Sequence, residues 1–139
     1  MTIVAVTPAN VRQDTTKGLV RGLSGAAILA GQLCYQDPTL LTWFPFDADA
    51  ASASTFLTLG VAVNSAPAAA QPVSLQSEPG ARVTIGGTLV AGTSYWASGT
   101  AGSIQDAAPD TADISVFVGV AATTAIITLA LRNFAVAAP

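Results

Sequence analysis

Few residues in this chain can do chemistry. Histidine is absent, which removes the commonest general base and the commonest metal ligand. Cys34 is the single cysteine, so no intrachain disulfide forms. As a nucleophile it would need a neighbouring base, and the sequence offers only carboxylates and Lys17. A small buried apolar residue beside Tyr35 is the simpler reading. Carboxylates cluster at Asp47 and Asp49, and again at Asp106, Asp110 and Asp113. Oxygen-rich loops can hold calcium, yet neither cluster has the D-x-[DN]-x-[DN]-G spacing. Capping and solvation account for both, and no metal or cofactor is expected. The glycine-rich stretches "GGTLVAG" and "SGTAGS" lack the Lys-Ser/Thr ending of a phosphate loop and read as turns. No base–nucleophile pair can be assembled, so enzymatic activity is not expected. A hydrolase built on Cys34 is the residual catalytic alternative.

The aromatic residues carry more information. Tyr35, Trp43, Phe44, Phe46, Tyr95 and Trp96 fall near the ends of extended segments. Neighbours in an extended chain point to opposite faces. One member of Trp43-Phe44 and one of Tyr95-Trp96 is therefore expected in the core, and the other outside as an interface anchor. These four residues, with Arg12, Lys17 and Arg21, are the candidate interface set.

Composition points the same way. Hydrophobic residues make up 51% of the 139 and charged residues only 9%, against about 25% charged in ordinary domains. The exterior must then be largely Ala, Ser, Thr and Gly, a surface that repels neighbours weakly and suits permanent assembly. A net charge of −3 with five basic residues argues against nucleic acid as a partner. Three of the five, set against Asp14, make the first 21 positions +2 and leave −5 for the rest. A basic arm that docks on an acidic partner is one reading, and a solvated terminus the other. "MTIVAVTP" has neither the basic start nor the long apolar stretch of a secretory signal. The uncharged run Ile114 to Leu131 is long enough to raise the question of a membrane span. Its alternation and its threonines read instead as two strands and a turn, and no membrane partner is expected.

Period-two alternation runs through the chain. Leu57, Leu59, Val61 and Val63 share a face, as do Ile114, Val116, Val118 and Val120, and Ile127, Leu129 and Leu131. Shorter cases are Val73 with Leu75 and Val83 with Ile85. Asp37-Pro38, Pro79-Gly80, Gly86-Gly87 and Gly99 to Gly102 supply turns between them. The segment "DADAASAS" at 47–54 could form a short capped helical turn or a loop.

The chain also repeats itself. "ILAGQLCYQ" from Ile28 resembles "LVAGTSYWA" from Leu89, and "TLGVAV" from Thr58 resembles "FVGVAA" from Phe117; "PVSLQ" and "IITLA" close the two halves. Two β-units, each too small to bury its own face, are expected to pack into one body. The expected fold is all-β: a single compact β-barrel or sandwich of two similar units, with an extended N-terminal arm.

With these segments in view, "LVAGTSYWASGTAGSI", "LGVAVNSAPAAAQPVSLQ" and "VFVGVAATTAIITLAL", with "FDADAASAS" between the halves, the chain resembles the capsid decoration, or cement, proteins of tailed bacteriophages. The similarity runs in order from about Gly18 to Arg132. It implies a barrel-like decoration domain over 18–132, an arm or edge strand over 1–17 and a tail over 133–139. It also implies a virion protein on the outer surface of the phage head, bound to the major capsid protein, self-associated as a homotrimer and without enzymatic activity. A carbohydrate- or receptor-binding module of a phage fibre is the alternative.

Overall fold

A computed structural model describes residues 2–50, 53, 56–108 and 113–137, the last three by their backbone. After a 3-10 turn at Pro8–Asn10 come eleven strands: β1 (Arg12–Gln13), β2 (Leu19–Leu23), β3 (Leu33–Gln36), β4 (Trp43–Pro45), β5 (Leu59–Ala62), β6 (Pro72–Gln76), β7 (Arg82–Thr84), β8 (Ser94–Ala97), β9 (Ile104–Gln105), β10 (Ile114–Ala121) and β11 (Ile126–Ala137). They form two antiparallel sheets packed face to face. Of the two forms expected, barrel or sandwich, the protein takes the sandwich.

Each sheet is one of the two sequence repeats. The five-stranded sheet runs β2-β6-β5-β3-β4 and the six-stranded sheet β7-β11-β10-β8-β9, with β1 added outside β7. The order is the same, and so is the register apart from a bulge between Phe117 and Gly119. Cys34 lies opposite Gly60 and Tyr95 opposite Gly119; Tyr35 faces Phe44 where Trp96 faces Gln105; Ala62 faces Leu75 where Ala121 faces Ile127. The turns entering β3 and β8 match too. Gly31 and Gly92 have φ of +90° and +82°, a region open to glycine at little cost. Their N–H groups donate to Ala62 O at 2.7 Å and Ala121 O at 2.8 Å.

The repeats differ in how their edges are completed. In the first, the chain leaving β2 meets β4 directly, with a Ser24–Trp43 bridge and a bond from Gly25 N–H to Trp43 O of 2.8 Å. In the second, the N-terminal segment comes between. Val4 N–H donates to Ile104 O at 2.9 Å, Thr7 N–H donates to Gly86 O at 2.8 Å, and Ile3 bridges to Gln105. Val4 and Val11 are buried in the process. The buried amide of Gln76 then holds the stretch before β2, donating to Thr15 O at 2.6 Å and Lys17 O at 3.0 Å. Residues 2–17 are thus strapped along the body. The stretch read as a C-terminal tail is strand as far as Ala137.

Two apolar clusters result. The main one lies between the sheets and contains Leu33, Leu59, Val61, Tyr95, Val118, Ile127 and Leu129. The smaller one, Ile28, Cys34, Trp43, Ala62, Ala66, Val73 and Leu75, covers the other face of the five-stranded sheet. Each fully buried large side chain contributes roughly 1.5–3 kcal/mol. Strand β5, with all four residues buried, therefore divides its side chains between two cores.

The apolar run from Ile114 to Leu131 is a strand pair with a turn at 122–125, and no helix among the described residues is long and apolar enough to cross a membrane. At the segment 47–54, Asp47 Oδ1 accepts the Asp49 N–H at 2.9 Å, and single-turn bonds join Ala50 N–H to Asp47 O and Ala53 N–H to Ala50 O. Residues 51, 52, 54 and 55 lie outside the described set.

Candidate docking surface

Position in the strand pair decides what each aromatic can touch. Trp43 is 1% exposed and Tyr95 2%, so neither can anchor a partner. Trp43 fills the smaller core with its indole over Gly22, where a Cβ would come within 2.7 Å of Nε1. That Nε1 is buried without a hydrogen-bond partner. Tyr95 belongs to the main core, and its hydroxyl accepts the Val90 N–H at 2.9 Å. The outward members of the pairs are Phe44 and Trp96, both half-buried.

Trp96 lies at the centre of an aromatic group that inspection of adjacent pairs missed. Its ring meets Phe117 edge-on, with centroids 5.1 Å apart, and lies 6.2 Å from Phe134, over which the Arg132 guanidinium sits at 4.9 Å. Phe134 is 42% exposed, and Val120 on the same face 38%. Such ring pairs add about 0.5–1.5 kcal/mol each beyond the area they cover. Trp96, its strand partner Phe117 and Val120 correspond by pairing to Tyr35, Leu59 and Val61 of the first repeat, of which Leu59 and Val61 are buried in the main core and Tyr35 packs against it. Phase could have revealed the face: Phe134, Arg132 and Thr128 alternate against Leu129 and Leu131.

Phe44 stacks at 5.7 Å on Tyr35, which stacks in turn at 3.8 Å on Phe56. Burial, and then the charge of Asp37, raise the Tyr35 phenol pKa above 10.0. Phe44 and Trp96 stand on different sheets and share no ring contact among the described residues.

The three basic candidates do not converge on these rings. Arg12 is exposed on edge strand β1, beside an open hollow of about 640 Å³ shared with Asn10, Thr84 and Gly86. Arg21 is exposed on edge strand β2 of the other sheet. Lys17 lies 3.8 Å from Glu78 with its side chain 83% exposed, and a pair so solvated contributes little. Arg132 is the cation that stands among the aromatics.

Apolar side chains also protrude from the turns. Leu40 and Leu41 are 64% and 63% exposed, Leu57 72% and Val90 63%. Cys34, by contrast, is fully buried, its Sγ 3.6 Å from Gln32 O. Burial pushes its thiol pKa far up, which suppresses the reactive thiolate. Among the described residues no three His, Cys, Asp or Glu side chains gather as a metal site requires; Asp110, named above in the second acidic cluster, lies outside them. Comparison with protein-family models, curated proteins and solved structures gives no match to this chain.

Proposed function

We propose that this protein is a structural component of a phage virion that binds the outside of the head and stabilises it by bridging neighbouring capsomers. The observation that carries the reading is the Trp96–Phe117–Phe134 face: a cluster of rings left uncovered on a chain whose surface holds few charges. Uncovered aromatics are the usual anchors of protein interfaces. The resemblance of the ordered sequence segments to decoration proteins supplies the partner, the major capsid protein, and the homotrimeric state. A trimer that touches several capsomers gains avidity without strong single contacts. It stabilises the shell because it binds the assembled form and not the free subunits. Arg12, Lys17 and Arg21 would add charge attraction at the edges, and no catalytic step is involved.

The test is co-sedimentation with mature heads, counting copies per capsomer. Trp96→Ser with Phe134→Ser is expected to reduce occupancy at least tenfold, with the fold intact by circular dichroism. Undiminished binding would remove this face from the contact. A glycan-array signal from the isolated protein, without binding to heads, would favour the phage-fibre alternative.

A further inference from the structure

The two repeats end differently at matching edges. Pairing aligns β2 with β7: Val20 lies opposite Leu75 as Val83 lies opposite Ile127, and Arg21 opposite Ser74 as Thr84 lies opposite Ile126. Each is the outermost strand of its repeat.

The phase of β2 follows from its bonds to β6. Ser24 N–H donates to Gln71 O at 2.9 Å, so Gly22 and Val20 also turn their backbone groups toward β6. Pro72, opposite Leu23, has no N–H to give, and Ser74 N–H turns away to Asn64 Oδ1. Leu19 and Arg21 therefore direct N–H and C=O out of the sheet, where no other described strand pairs with them. Past Leu23 the edge is closed by the Ser24–Trp43 bridge.

On β7 the corresponding groups are covered. Strand β1 pairs Arg12 with Thr84, Asp14 and Thr15 N–H donate to Arg82 O at 3.2 Å, and Arg82 N–H donates to Thr15 Oγ1 at 3.0 Å. Asp14 Oδ2 also accepts the Thr84 hydroxyl at 2.6 Å. A short antiparallel strand carrying a carboxylate is thus what covers this edge in the second repeat. In the first, the Thr84 position holds Arg21, exposed and without an ion pair among the described residues. The carboxylate at the Gly18 end of the strand, Glu78, lies 3.8 Å from Lys17.

We propose that β2 is a strand-addition site: an extended, acidic segment of a partner protein pairs antiparallel along Leu19–Arg21 and sets a carboxylate against the Arg21 guanidinium. Unpaired edge groups are a template for another strand, and the exposed Val20 and Leu23 offer it apolar contact. Charge selects the occupant. A second copy's β2, paired antiparallel about its centre, would set Arg21 against Arg21. A second copy's β1, in the register it holds on β7, would set Arg12 against Arg21. Like charges directly opposite disfavour both pairings. The site stands on the other sheet from Trp96 and goes beyond the docking face above, independent of what that face binds.

Amide hydrogen exchange on the full chain reads the pairing directly. The probe is a capped Val-Glu-Val-Glu-Val peptide, with Val-Lys-Val-Lys-Val as the charge control. The glutamate peptide is expected to slow exchange at Leu19 and Arg21. Binding should be about tenfold weaker for the lysine peptide, and about tenfold weaker for the glutamate peptide on Arg21→Glu. Arg21→Pro, which removes the outward N–H at a position where a strand edge tolerates proline, should abolish binding. Should that variant not fold, Arg21→Glu, which leaves the backbone groups in place, decides alone. Absence of binding, equal affinity for the two peptides, or binding that leaves Leu19 and Arg21 exchanging freely overturns the proposal. So does slow exchange at both amides that strengthens with protein concentration before any peptide is added, which assigns the edge to a second copy.

Discussion

The five- and six-stranded sheets share strand order, turn geometry and, outside one bulge, register, yet they meet different surroundings. The first sheet is covered on both faces, by the main core on one side and by its own loops around Trp43 and Leu75 on the other. The second packs one face inward and leaves Trp96, Phe117 and Phe134 on the other. Its edge is completed by a borrowed strand, the N-terminal segment. Duplication makes one unit the partner of the other, and the end of the series stays open. Under the proposed function, the open end carries the binding surface, where substitutions leave the core undisturbed.

The sharpest way to break the equivalence is at paired glycines. Gly60 and Gly119 occupy matching positions, opposite Cys34 and Tyr95. A Cβ on Gly119 would run into Thr128 O, which is rigid backbone in the adjacent strand; on Gly60 it would lie 2.9 Å from Leu75 Cβ, a less severe overlap. Gly119→Ala is expected to cost about 3 kcal/mol and Gly60→Ala about 1 kcal/mol, read by urea denaturation. Equal losses would mean that the two sheets are packed alike at this point.

The hairpin tips at Leu41 and Gly102, both with left-handed backbone, give a smaller and signed difference. Gly102→Ala forces a side chain into left-handed backbone and against Gln32, for a loss of about 2 kcal/mol. Leu41→Gly relieves about 1 kcal/mol of backbone cost but gains about as much entropy in the unfolded chain. Its stability should stay within about 0.5 kcal/mol of wild type. A substantial loss in Leu41→Gly would show that the exposed leucine side chain supports the fold.

Strand positions and turn chemistry were legible in the sequence because period-two alternation and glycine turns are local. Phase was less so. Leu57 alternates in phase with Leu59 and Val61 but is 72% exposed, because β5 begins only at Leu59. Val120 alternates in phase with Val116 and Val118, yet a bulge between Phe117 and Gly119 turns it outward with Phe117. A bulge inserts one residue and reverses the alternation beyond it, and no residue type in "VFVGV" announces it. Which of Trp43 and Phe44 turns inward depended on the smaller core, whose walls come from Ile28, Ala66 and Val73. Those contacts are far apart in sequence and leave no local trace.

The smallest expected effect concerns one inward position filled differently in the two repeats, Cys34 in the first and Tyr95 in the second. Burial raises the Cys34 thiol above its ordinary 9.0, so the folded protein keeps a proton that the unfolded chain releases near that pH. Below pH 9 the group contributes nothing to the pH dependence. Above it the unfolded state is favoured, and stability falls by up to about 1.4 kcal/mol per pH unit. Tyr35, raised from 10.0 by burial and then by Asp37, adds a loss of the same sign only beyond about pH 10. Denaturation between pH 9 and 10 should therefore show a downward slope in the wild type that is reduced in Cys34→Ala. The comparison is between slopes, because removing the thiol leaves a small cavity whose cost is the same at every pH. Identical slopes would mean that the thiol ionises within the fold, and that the smaller core is open to water where its counterpart at Tyr95 is closed.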